Sequence, residues 1–155
     1  MNCLCQIDEE KGERIASGSS DWTIKIWCLI TAKCLCTLRG HQYGVTFLVY
    51  QKQSNRLVSG SSDGTIKVWL GTSLIKTLVI HGWCSCLVAT KYTNEILSST
   101  DDVLIKIWDL NGESGKWIKV LEGHVDSVIR KNSIFKFFKL ESLRSRVLIE
   151  KSNDH

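Results

Sequence analysis

Histidine, serine and aspartate recur together in this 155-residue chain at spacings that could do chemistry. His41, Ser59 and Asp63 form one group, His81, Ser98 and Asp102 a second, and Ser17 and Asp21 a third without a histidine. A hydroxyl, an imidazole and a carboxylate are the parts of an activated nucleophile, in which the imidazole takes the hydroxyl proton and the carboxylate orients the imidazole. Cysteine offers a second chemistry. Cys3 and Cys5, Cys34 and Cys36, and Cys84 and Cys86 are Cys-x-Cys pairs. Residues i and i+2 of a strand share a face, so each pair would set two thiols side by side, the beginning of a thiolate metal site. Cys-x-x-Cys is the stronger zinc spacing, and the plainer reading of each cysteine is a small buried hydrophobe on a strand.

The elements that must position these groups are legible in a repeat. Ser17–Trp27 (SGSSDWTIKIW), Ser59–Trp69 (SGSSDGTIKVW) and Ser98–Trp108 (SSTDDVLIKIW) carry serine, aspartate, an Ile-Lys pair and tryptophan at the same internal offsets. Ser-Ser-Asp-Gly is turn chemistry, and Thr-Ile-Lys-Val-Trp is a β-branched and aromatic run, so the unit reads as strand, tight turn, strand. Such a hairpin buries too little to stand alone. Around the first hairpin the pattern predicts strands over 2–7, 14–19, 23–27 and 33–38. A second block repeats the course over 45–50, 56–61, 65–69 and 73–78, and a third over 84–90, 95–99, 104–108 and 116–121. The tryptophans fall at 27, 69 and 108 and the histidines at 41, 81 and 124, a period of about 40–45 residues with four strands per unit.

Gly40-His41, Ser59, Asp63 and Trp69 resemble the histidine, serine, aspartate and tryptophan set of WD-repeat β-propellers. The resemblance runs over residues 1–129, in blocks of about 1–39, 40–79 and 80–122 with a fourth starting at 123. It implies an all-β partial propeller: three four-stranded blades, an incomplete and divergent fourth, and an open arc. It also implies a hydrogen-bonded tetrad within a blade, here His41, Ser59, Asp63 and Trp69, then His81, Ser98, Asp102 and Trp108, with Ser17, Asp21 and Trp27 as a set lacking its histidine. Three departures stand out: Ile80 replaces the glycine before His81, Thr100 replaces a serine, and only Trp108 is followed by aspartate, Asp109. Under this reading the histidines are structural and no catalytic residue is expected.

Charge and composition narrow the partners. Thirteen Lys and Arg balance thirteen Asp and Glu up to Ile129, whereas from Arg130 the count is seven against three. The repeats are therefore neutral, without a basic face for nucleic acid, and the excess lies in a divergent tail over 130–155, a candidate for a truncated fourth blade. Seven cysteines without a secretion signal suit a reducing compartment, so the expected location is intracellular, cytoplasmic or nuclear. No phosphate-binding glycine loop, zinc-spaced ligand set or isolated carboxylate pair occurs, and no cofactor, metal site or membrane span is expected.

The resemblance implies a non-catalytic scaffold for protein–protein interaction. Partners of that family often bind the face built from the loops before each blade's first strand and after its second. Here that face offers Trp22, Tyr43 and Trp83, with Ser20, Ser62, Asp101 and Asp126 beside them. An alternative is the targeting or substrate-recognition segment of a multidomain enzyme or ubiquitin-ligase receptor. Three and a half blades cannot close a ring of the usual four to eight, so the chain reads as a fragment or one piece of an assembled ring, with open faces that favour self-association.

Overall fold

The computed structural model of the chain describes residues 1–7, 14–100, 102, 104–112 and 116–123. They form three four-stranded antiparallel sheets in strict sequence order. The first blade contains β1 (Cys3–Gln6), β2 (Arg14–Gly18), β3 (Ile24–Cys28) and β4 (Lys33–Leu38). The second contains β5 (Val45–Gln51), β6 (Arg56–Ser61), β7 (Thr65–Leu70) and β8 (Ser73–Val79). The third contains β9 (Cys86–Ala89), β10 (Glu95–Ser99), β11 (Ile105–Asp109) and β12 (Trp117–Leu121). All twelve strands fall where the repeat predicts them. The expected fourth block, with the tail, lies outside the described residues.

Strand β9 starts two residues later than the pattern suggests. The Cys84 N–H donates to the Ser61 carbonyl (3.5 Å) and its carbonyl accepts from Thr46 Oγ1 (3.2 Å), which ties Cys84 to blade two, while the next residue, Ser85, donates its N–H to the Ser99 carbonyl (3.0 Å) of its own blade.

Blades pack face to face, and their first strands, β1, β5 and β9, run side by side. Two cores result. Ala16, Ile24, Ile26 and Leu38 of blade one meet Val45, Leu48, Leu57 and Trp69 of blade two. Val58, Ile66, Val68 and Leu78 of blade two meet Leu87, Ile96, Trp108 and Leu110 of blade three. Trp69 and Trp108 thus each face the blade before their own. Alternation along the strands makes this possible, because successive residues serve opposite interfaces.

Glycine sets the approach of one blade to the next. A Cβ on Gly60 would lie 2.4 Å from Cys84 Sγ, and one on Gly18 would lie 2.6 Å from both Cys3 Sγ and Val45 Cγ1. Both glycines occupy the same place at the end of the second strand, where the incoming chain touches backbone. At the opposite end of the second interface Arg56 Nη1 donates to the Leu110 carbonyl (3.0 Å) and Asn111 Oδ1 (3.2 Å), Lys76 Nζ donates to the Leu110 carbonyl (3.2 Å), and Gln53 Nε2 donates to the Lys91 carbonyl (2.9 Å).

Candidate functional site

Each blade is pinned across its middle hairpin by one tryptophan and one serine. The pairing between second and third strands sets Ser17 opposite Lys25, Ser59 opposite Lys67 and Ser98 opposite Lys106. The tryptophan two residues on shares that face. In all three blades the third and fourth strands slip register immediately before the tryptophan, at Ile26/Trp27, Val68/Trp69 and Ile107/Trp108. The indole N–H donates to the serine hydroxyl at 2.8 Å for Trp27–Ser17, 2.9 Å for Trp69–Ser59 and 2.8 Å for Trp108–Ser98.

The middle blade extends this pair into a full chain of bonds. His41 Nε2 lies 2.7 Å from Ser59 Oγ, and His41 Nδ1 lies 2.7 Å from Asp63 Oδ2. A neutral imidazole with its proton on Nδ1 satisfies every member: the indole donates to Ser59, Ser59 donates to His41, and His41 donates to Asp63. Asp63 also accepts from the N–H groups of Gln42 (3.0 Å) and Thr65 (2.9 Å) and from Thr65 Oγ1 (2.6 Å). Burial depresses the His41 pKa, and the bond to Asp63 only partly opposes that. For Asp63 burial works to raise the pKa, but the bonds from Thr65, Gln42 and His41 together hold it below the ordinary carboxylate value. Ser59, His41 and Asp63 have the contacts of a nucleophilic triad, yet Ser59 is completely buried and its oxygen already receives the indole proton. A nucleophile must touch its substrate, and Ser59 is out of reach of one.

The third blade is wired differently. Trp108 and Ser98 are paired, but His81 is exposed with a left-handed backbone (φ 49°), and Asp102 is bonded instead to Thr100 and Lys106. The implied grouping of His81 with Ser98, Asp102 and Trp108 is therefore not brought together, and Ile80 supplies the reason. Gly40 leaves His41 room to bend in, since a Cβ there would lie 3.1 Å from the Trp69 ring. Ile80 cannot adopt that place and buries its own side chain in the core, which turns His81 outward. In blade one Asp21 accepts from the Thr23 hydroxyl and N–H (2.7 and 3.0 Å), which lower its pKa.

The cysteines divide by position, and all seven are free thiols. Cys3 and Cys5 do share a face, packed against the first core, and burial raises both pKa values to about 11. Cys34 and Cys36 do not lie side by side, contrary to the simple alternation: the slip before Trp27 sets Cys34 opposite Trp27 and Cys36 opposite Ile26, so one is exposed and the other packs inward. Cys84 is buried over Gly60, and burial pushes its thiol pKa strongly up. Among the described residues no three His, Cys, Asp or Glu side chains converge as metal ligands would.

Three exposed aromatic residues sit on the face made by the β2–β3 and β6–β7 turns and the loops preceding β5 and β9. Trp22, Tyr43 and Trp83 are each more than half exposed there. Trp22 and Tyr43, from neighbouring blades, meet as a tilted pair with centroids 6.2 Å apart and planes at 48°. With His41 and Gln42 they line an open cavity of about 450 Å³. Trp83 holds in the loop before β9 the place that Tyr43 holds before β5. Ser20 Oγ donates to Asn2 Oδ1 (3.0 Å) and the half-buried Ser62 donates its N–H to the Gly44 carbonyl (3.1 Å). Asp101 and Asp126 lie outside the described residues. One feature escapes residue-type reasoning: Trp22 has φ 71°, and the equivalent residue of blade two is Gly64 with φ 75°. Alignment of SSDWT with SSDGT holds the signal, since a large side chain stands where the turn favours glycine.

Comparison with known proteins places this geometry. Residues 2–28 and 32–69 match the family model described as WD domain, G-beta repeat. The chain is 33% identical over 136 residues to a CCR4-associated factor 4 homolog of Vanderwaltozyma polyspora, an alignment covering 82% of this chain and 18% of that protein. It is 38% identical over 123 residues to nuclear distribution protein nudF of Emericella nidulans, covering 75% of this chain and 27% of that one. A shorter stretch of 34 residues is 56% identical to F-box/WD repeat-containing protein 7 of Drosophila melanogaster, 22% of this chain and 3% of the relative. The chain thus spans less than a third of the length of each relative.

Proposed function

From the premise that this chain is a WD-repeat protein, we propose that it is a non-catalytic protein-interaction scaffold within a larger propeller, read by its partners at the Trp22–Tyr43 face. Interaction is the general role of such repeats; the particular surface is our inference. The observation that carries it is Trp22 itself. A left-handed non-glycine residue costs roughly 1–2 kcal/mol, and strain of this kind concentrates at functional sites. Here it holds an indole in solvent against Tyr43 of the next blade, in the form of an aromatic anchor. Ser62, with Ser20 and Trp83, would frame the contact. The partners are other proteins, copies of this chain among them, and the location is intracellular.

The test is the substitution that relaxes the turn. Trp22→Gly is expected to leave the thermal midpoint unchanged or slightly raised while partner capture from a cell extract by the immobilised protein falls at least tenfold. Capture equal to wild type would remove Trp22 from the surface; a lowered midpoint would make its role one of packing.

A second reading has a specific observation behind it. The similarity to an F-box/WD repeat-containing protein favours a recognition segment within a multidomain protein, where the same face would select the substrate. Sequencing the flanking coding region separates the two readings.

A further inference from the structure

The cavity beside Trp22 and Tyr43 has most of its backbone already committed. Four residues line it, Trp22, His41, Gln42 and Tyr43. His41 has neither ring nitrogen to spare, since Nδ1 is held by Asp63 and Nε2 by Ser59. The Gln42 N–H is spent on Asp63 (3.0 Å). Ser61 Oγ, fully buried, donates to the carbonyls of Tyr43 (3.1 Å) and Gly44 (3.0 Å), so these acceptors are turned inward. That disfavours an added partner strand, which pairs through main-chain N–H and C=O groups.

Side chains are what face solvent. Trp22 and Tyr43 are 53% and 61% exposed, and among the described residues the indole N–H of one and the hydroxyl of the other have no hydrogen-bond partner. With the exposed Gln42 amide they offer two ring faces and a set of N–H and O–H donors. The lining carries no formal charge, because buried His41 is neutral. The neighbouring Asp21 directs Oδ1 at its own turn, where it accepts from the Thr23 hydroxyl and N–H (2.7 and 3.0 Å).

A ligand matched to this surface is apolar, uncharged and rich in acceptors. Proline meets each requirement: it has a carbonyl and no N–H, and its φ is already fixed, so a run of prolines binds without the ordering cost of a flexible chain. The polyproline II helix has no internal hydrogen bonds, which leaves its carbonyls open to donors such as the indole N–H, and it docks on aromatic surfaces. One turn rises about 9 Å, enough to lie across two rings whose centroids are 6.2 Å apart. We propose that the Trp22–Tyr43 cavity takes a proline-rich segment of a partner protein, held as a polyproline II helix across the two rings. This deepens the scaffold reading and rests on it for the choice of surface.

Calorimetric titration of the full chain with an acetylated proline decamer tests the ligand. Saturable binding is expected, weakened at least tenfold in Trp22→Gly and about threefold to tenfold in Tyr43→Phe, which keeps the ring and removes one donor. Tyr43→Phe changes only an exposed hydroxyl, so its circular dichroism and thermal midpoint should match wild type. Absence of saturable binding overturns the proposal, as does equal binding of a glycine–serine decamer. Tighter binding of an arginine–glycine decamer also overturns it, since the occupant would then be a cation held on the rings. The proline decamer in excess should displace what the immobilised chain captures from cell extract. Capture that is lost in Trp22→Gly yet untouched by the decamer overturns the proline ligand alone and leaves the surface standing, whereas capture unchanged in Trp22→Gly removes the surface as well.

Discussion

His41 shows what a single polar residue contributes when every neighbour is satisfied. Its removal leaves the buried Ser59 hydroxyl and the Asp63 carboxylate each short of a partner, and an orphaned buried group costs roughly 1–3 kcal/mol. His41→Ala should lower stability to denaturant by about that amount, measurable by urea titration. The acid response follows from the same geometry. The folded state binds the His41 proton less readily than the unfolded chain does, so the unfolded chain takes up more protons as pH falls through the ordinary histidine value of 6.5. This contribution is complete above that value and is lost below it, while Asp63 adds a loss of the same sign only as pH falls below its ordinary 3.8. Thermal midpoints should therefore decline from pH 7 to pH 5, and in His41→Gln that decline should flatten.

At the scale of elements, the glycine at the end of the second strand governs how closely blades meet. Gly60→Ala is expected to destabilise by about 1–3 kcal/mol, since the new methyl meets a buried sulfur and its Cβ, not a flexible tip; guanidinium unfolding would measure it. Much at this scale was legible in the sequence. Turn residues and β-branched runs at a constant period placed all twelve strands, because local propensity and alternation agree there. Three things were not legible. The slip before each tryptophan belongs to the pairing of two strands and has no residue-type signature, so the faces of Cys34 and Cys36 came out wrong by simple alternation. His81 carries the right residue type at the right period, but its direction depends on Ile80 before it, a steric effect that spacing does not register. The role of Gly18 and Gly60 appears only when another blade is brought against them. The face bearing Trp22 and Tyr43 was legible as a place; the left-handed strain at Trp22 was legible only by comparison with Gly64.

At the scale of the whole molecule, the three blades are unequal: among the described residues the middle one is packed on both sides by other blades. Its core residues contribute to both apolar clusters, and it alone holds a complete tetrad among the described residues. Hydrogen exchange should accordingly show the slowest amides in β5, β6 and β7, with β1 and β12 exchanging fastest; uniform protection across the sheets would contradict this ranking. The glycine contacts carry one more consequence, for the order in which blades can be arranged. Gly18 receives Val45 and Gly60 receives Cys84, whereas the same place in blade three holds Ser99, bonded to Ser85. Blades built on one plan are therefore not interchangeable parts. A duplicate of the second could follow itself, since a glycine already accepts Val45, but the third could not be spliced in ahead of the second without setting a hydroxymethyl group where bare backbone is required. The linear order of the repeats is written at one atom per blade.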